Sequence, residues 1–201
     1  MTTIAASPPL DEATIHAHAA TLLEVADRAV RLAATGGGKL VVALADYDEA
    51  LGRPGATFVT LKRHGDLRGC IGSPMAWRPL IEDVADNAHG AAVRDPRFAP
   101  LTEPELEGLS LSVSVLTPPQ PLPVDSEADL LAKVRPGIDG LIIEDQGRRA
   151  LFLPAVWESL PDAPRFLAHL KQKAGMAPDH WSPGFRAHVF QAVEIKRRSV
   201  S

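Results

Sequence analysis

The chain has one cysteine, one tyrosine and an aromatic content of only 5% in 201 residues. A single thiol makes neither an intramolecular disulfide nor a multi-cysteine zinc site, which argues for a reducing compartment and against a stapled secreted fold. Net charge is −4, so the cationic footprint of a duplex nucleic-acid binder is missing from the chain as a whole. No run approaches the ~20 apolar residues that cross a bilayer. Residues 1–10 have neither a cationic start nor an apolar stretch of secretory-leader length. The expectation is a cytoplasmic protein without a membrane segment, and composition sets no oligomeric state. Gly36-Gly37-Gly38 before Lys39 has Ala33 where a phosphate loop needs its first glycine, and it follows a helical pattern rather than a strand, so the nucleotide-loop patterns fail. No two of the seven histidines have the i, i+4 spacing around a glutamate that marks a zinc hydrolase, and there is no G-x-S-x-G elbow. Neither a metal nor a cofactor is implied.

Proline, in contrast, is abundant, at 18 residues, and cuts the chain into short segments. Residues 11–34 place Ile15, Ala19, Leu22, Ala26, Ala29 and Ala33 at three- and four-residue steps and predict one amphipathic helix stopped by the glycine run. Residues 39–56 are ambiguous. Phe58 to Lys62 and Leu67 to Gly72 flank the turn residues His64-Gly65-Asp66 and read as a β-hairpin. A helix follows from about Pro79 and ends before Asp95-Pro96. In 109–116, Leu111, Val113 and Val115 alternate with Ser110, Ser112 and Ser114, the pattern of a half-buried strand. The proline-rich 117–123 stretch is a candidate lobe boundary, and Ser126 with Asp129 predicts a capping box. A second hairpin is expected at 141–153 around Asp145-Gln146-Gly147. Asp162 and Pro164 open a helix that Gly175 closes, and 187–195 reads as one strand with Val189, Val193 and Ile195 on one face. This order lacks regular βαβ alternation, so the expected fold is α+β, a mainly antiparallel sheet lobe flanked by helices plus a smaller lobe. The expected organisation is a flexible stretch at 1–11, one domain at 12–197 with a lobe boundary near 117–125, and a tail at 198–201. Lys196-Arg197-Arg198 is most simply solvated.

Cys70 is the residue with chemistry to explain. In a regular strand, period two puts Arg68 and Cys70 on one face and Leu67 and Ile71 on the other. A guanidinium there would favour the thiolate, the reactive form, and Gly69 and Gly72 would let a ligand or another backbone approach. The bland alternative is a small packed cysteine beside a bulge. Asp95-Pro96-Arg97-Phe98 reads as a helix exit with a local Asp95–Arg97 ion pair, Phe98 docking the loop to the core; the same two charges are candidate ligand groups.

Phe58-Val59-Thr60-Leu61, Leu67-Arg68-Gly69-Cys70-Ile71-Gly72, Asp95-Pro96-Arg97-Phe98 and Val113-Ser114-Val115-Leu116 together resemble the AMMECR1 domain family. The similarity continues through Gly137-Ile138-Asp139-Gly140-Leu141, Leu153-Pro154-Ala155-Val156-Trp157 and Lys173-Ala174-Gly175-Met176 to a closing strand near Glu194. The resemblance implies an α+β fold of a larger and a smaller lobe with a groove near Leu67–Gly72, and it implies no reaction. It also implies membership in a three-part bacterial system with a Memo-like protein and a radical SAM protein. Gln172-Lys173 stands where many relatives carry a cysteine, which leaves Cys70 alone.

Three readings follow. The preferred one is an accessory or adaptor component that binds Memo-like and radical SAM proteins through Gly69, Ile71, Gly72, Asp95, Arg97 and Glu194. The second is a small enzyme with Cys70 as nucleophile or covalent attachment point and Arg68 as its activator, its base open among His64, His89 and Glu194. RNA binding ranks last on the acidic charge. Whether the chain is an enzyme stays open at this point.

Overall fold

The computed structural model describes residues 10–196. Residues 1–9 of the expected flexible start, and all of the expected 198–201 tail, lie outside them. In chain order the elements are α1 (Glu12–Ala17), α2 (Ala19–Ala34), β1 (Pro54–Arg63), β2 (Asp66–Gly72), β3 (Arg78–Pro79), α3 (Leu80–Val93), β4 (Leu109–Leu116) and β5 (Gln120–Leu122). There follow α4 (Glu127–Lys133), β6 (Gly140–Asp145), β7 (Arg148–Phe152), α5 (Ala163–Lys173), β8 (Arg186–Phe190) and β9 (Ala192–Lys196). The fold is α+β. The described residues divide into two compact units, one formed by 10–116 together with 193–196, the other by 117–192.

The first unit is a sheet of order β2-β1-β4-β9 with β3 beside the start of β1, covered on one face by α2 and α3. Helix α1 begins where Asp11 accepts the Thr14 N–H. The single helix expected over 11–34 is interrupted at His18, whose backbone leaves helical values while its N–H and carbonyl still bond Thr14 and Leu22. The apolar stripe of α2 buries Leu22, Val25, Ala26, Ala29 and Val30 against Val59, Leu61, Val113 and Val115 of the sheet. Each such Leu or Val contributes about 1.5–3 kcal/mol of transfer free energy. The ambiguous 39–56 region is an extended run followed by two short 3-10 turns at Leu44–Asp46 and Glu49–Gly52. The β1–β2 hairpin closes at His64 and Gly65, both at positive φ (52° and 94°), the pair that a two-residue I′ turn demands.

The second unit is a sheet of order β5-β8-β6-β7, antiparallel at every pairing, on a core of Leu141, Ile143, Trp157, Phe166, Leu167 and Leu170. Ser126 caps α4 by accepting the Asp129 N–H, but the Asp129 carboxylate returns to Asp125 rather than Ser126, so the expected capping box is half formed. Asp162 caps α5 and Gly175 (φ 75°) ends it, as expected. The single strand expected over 187–195 is instead two. Val189 packs in the second core while Val193 and Ile195 belong to the first. Between β8 and β9, the Gln191 N–H donates to Thr117 Oγ1 and the Thr117 N–H to the Gln191 carbonyl, both at 2.8 Å, which spends at a crossover the backbone groups that would have continued one ladder.

Candidate functional site

The hairpin that carries the Leu67–Gly72 motif contains a β-bulge. Lys62 pairs with Leu67 and Leu61 with Gly69, so Arg68 is the extra residue, and the register beyond it sets Cys70 opposite Thr60 and Ile71 opposite Val59. The period-two expectation therefore fails at this point. Leu67 and Cys70 share the face of Lys62, Thr60 and Phe58, whereas Gly69 and Ile71 share the face of the buried Leu61 and Val59. The face bearing Cys70 is the one α2 and α3 leave uncovered; Ser112 and Ser114 of β4 lie on it, opposite Thr60 and Phe58. Glu194 is exposed between the buried Val193 and Ile195 and points to the same face.

Both glycines are explained by the protein's own atoms. A Cβ at Gly69 would lie 2.1 Å from the Ala91 carbonyl oxygen of α3, and one at Gly72 would lie 2.4 Å from the Phe58 ring and the Thr57 carbonyl. The close approach that these residues allow is thus the seating of β2 against the helix and against β1.

The charges around the motif are committed. Arg68 makes a two-pronged pair with Glu105 (Nε to Oε1 2.8 Å, Nη2 to Oε2 3.2 Å) and donates to the Ala99 carbonyl at 2.9 Å. Glu105 also accepts the N–H and hydroxyl of Thr102. The Arg68 guanidinium, then the Thr102 N–H, hold its carboxyl down to about 2. Asp95, 4% exposed, accepts the Cys70 N–H at 2.8 Å and the Arg97 side chain at 2.9 and 2.7 Å. Arg97 holds this carboxyl well below the ordinary aspartate range, with the Cys70 and Arg97 N–H groups adding to the effect. The local Asp95–Arg97 pair is therefore formed, and the same carboxylate covers an N–H that the edge strand β2 would otherwise leave open. The Phe98 ring meets the guanidiniums of Arg68 (5.7 Å) and Arg97 (5.6 Å) rather than docking into the first core.

Cys70 is half-buried, and its sulfur accepts a hydrogen bond from Thr60 Oγ1 at 3.4 Å, its one hydrogen-bond partner among the described residues. The candidate bases lie elsewhere. His64 forms the hairpin turn with its ring against Gly108. His89 sits on α3, where burial, then Arg94 and Lys39, push its imidazole down, toward the neutral form. Glu194 pairs with Lys196 at 3.4 Å. Among the described residues no group of three or more His, Cys, Asp or Glu side chains is arranged to hold a metal ion, and no helix is long and apolar enough to cross a membrane.

Two fastening groups escaped the sequence reading. Glu105 was visible in principle as the fourth residue of Thr102-x-x-Glu105, a capping-box pattern that forms here on a short 3-10 turn. Asp83, 0% exposed on α3, accepts from the Thr57 N–H (2.9 Å) and hydroxyl (2.7 Å), Asn87 (2.9 Å) and Arg78 (2.7 Å). Burial pushes its carboxyl up, against those hydrogen bonds. The signal was a pair of polar residues at i, i+4 among the apolar positions of α3.

The AMMECR1 family model matches residues 23–195. A protein of Methanothermobacter thermautotrophicus is 46% identical over 141 residues, covering 67% of this chain and 71% of its own. One of Methanocaldococcus jannaschii is 41% identical over 170 residues, covering 78% and 82%. The crystal structure of an uncharacterized protein from Pyrococcus horikoshii superposes with a TM-score of 0.69 at 35% identity over 86% of this chain and 87% of that one. On this match of sequence and fold, the chain belongs to the AMMECR1 family.

Proposed function

We propose that this protein is a binding component, an accessory that presents the Leu67–Gly72 edge and the helix-free sheet face to protein partners. The observation that carries the reading is the commitment of the motif's charges: Arg68 is spent on Glu105 and Ala99, and Asp95 on Arg97 and the Cys70 N–H. A nucleophile needs a base within hydrogen-bond reach, and the thiol's partner is a hydroxyl. The helix-free face is mildly polar, with Cys70, Thr60, Ser112 and Ser114 half-buried on it and Glu194 exposed. Family membership supports the Memo-like and radical SAM proteins as the partners. Calorimetric titration with each of those proteins tests this. The unmodified protein binds at least one of them, Cys70→Ser stays within about twofold, and Asp95→Ala, which loosens the edge, weakens binding about tenfold, roughly 1.4 kcal/mol. Absence of binding to both proteins, or its loss in Cys70→Ser, overturns the reading.

A second reading rests on Asp95, whose carboxylate links the Cys70 N–H to the Arg97 side chain. There Cys70 is a nucleophile or attachment point in a small enzyme and Arg97, rather than Arg68, is the exposed cation that positions substrate. Retained partner binding in Cys70→Ser with complete loss of the joint system's activity would select it.

A further inference from the structure

Of the three tryptophans, Trp157 is 4% exposed in the second core and Trp181 packs on Phe185, but Trp77 is 65% exposed. Its ring is nevertheless held. The Arg78 guanidinium lies 4.6 Å from the ring centroid, and Arg78 is itself fixed by Asp83 (2.7 Å) and Asp86 (3.2 Å). Arg78 also lines a pocket of about 260 Å³ between α3 and the extended run after the glycine stop, together with Lys39, Leu40, Val41, Val42, Glu82, Ala85 and Asp86. In that run Leu40 and Val42 pack on the first core while Val41 between them is 89% exposed. Val41, which lines the pocket, and Trp77, whose ring is stacked on the pocket's Arg78, thus both stand in water, the aromatic one pre-ordered on the arginine. Trp and Arg are the residue types most enriched among interface anchors, and an anchor already held in place loses little freedom on binding.

The charges say what the pocket accepts. Asp86 is shared by Lys39 (2.8 Å), Arg94 (2.7 Å) and Arg78 (3.2 Å), so the cations at this site are already engaged with it. Glu82 has no ion pair or hydrogen bond with another side chain among the described residues. The uncommitted charge lining the pocket is therefore a carboxylate. The pocket falls below the ~300–1,000 Å³ usual for small-molecule sites, a size suited to one or two side chains of a larger partner.

We propose that this pocket receives a segment of a partner protein in which a lysine or arginine is flanked by apolar residues, the cation on Glu82 and the apolar neighbours on Trp77 and Val41. The surface is separate from the outward face that carries Cys70. The test is an NMR titration of the full chain, followed at the Trp77 indole N–H. The probes are two capped five-residue peptides, glycine-leucine-X-leucine-glycine with X lysine or glutamate. The lysine peptide shifts the Trp77 resonance saturably at millimolar concentration. Glu82→Gln weakens it about fivefold, the scale of one solvent-accessible charge pair, and Val41→Ser weakens it further. Asp95→Ala, expected to weaken partner binding at the Leu67–Gly72 edge, leaves it unchanged, which separates this proposal from the one above. A silent Trp77 resonance, equal binding of the glutamate peptide, or no effect of Glu82→Gln would overturn it.

Discussion

The two units solve the packing problem in opposite ways. The first core is wholly aliphatic, and the alanines of its helices, Ala26, Ala29, Ala85, Ala88, Ala91 and Ala92, let α2 and α3 pack close, to the point that the Ala91 carbonyl occupies the space of a Gly69 side chain. The second is made of rings and buried ions. Trp157 stacks on Phe166 at 3.7 Å with a 2° interplanar angle, and Phe152 meets Phe166 edge-on. Lys171, 0% exposed, reaches Glu127 at 2.6 Å with the Trp181 and Phe185 rings about 6 Å away. Close backbone packing fixes where a strand edge sits, which suits a unit that presents a motif. Ring stacking anchors a core through the mutual alignment of side chains.

The largest test of that contrast is Phe166→Ala, expected to cost about 3–5 kcal/mol in urea unfolding through lost ring contacts and a cavity. A loss below about 1 kcal/mol would show that the stack is not what holds the second core. Next comes Gly69→Ala in the first unit, at about 1–3 kcal/mol, because its neighbour is backbone and cannot swing away. Amide shifts confined to β2 and the end of α3 check the mechanism, and a neutral result refutes close packing there. Lys171→Ala should cost about 1–2 kcal/mol and Lys171→Met under about 1 kcal/mol. Methionine keeps the buried stem, and Glu127, 37% exposed, regains water. Equal losses for the two would make the ion pair rather than the stem decisive.

The smallest effect is in pH. Glu105 has its folded carboxyl depressed to about 2 from an ordinary 4.5, so its contribution is full above about pH 4.5 and is lost as pH falls toward 2. Asp83 has the opposite sign, because its raised carboxyl makes ionisation oppose folding as pH rises through the ordinary aspartate range. Thermal unfolding followed from pH 6 to 2 should fall less steeply in Glu105→Gln than in the parent, and identical slopes would contradict the clamp.

Local signals carried most of the fold: the α2 stripe, both hairpins, the β4 alternation and the Asp162 and Gly175 caps were legible because each depends on residues a few positions apart. The misses were long-range. Nothing near Gln191 breaks the β pattern, since the break is a pair of bonds to Thr117 at 74 residues' separation. The bulge at Arg68 depends on which β1 residues it faces, and Arg68's partner Glu105 lies 37 residues on. The motif drew attention to Cys70, but only the register shows that its charged neighbours fasten the edge.

Amide hydrogen exchange at Cys70 tests most directly whether they do. Asp95 accepts this edge-strand N–H, so the account predicts a protected Cys70 amide in the parent and exchange at least about tenfold faster in Asp95→Ala. A Cys70 amide that exchanges freely in the parent, or at one rate in both proteins, would contradict it.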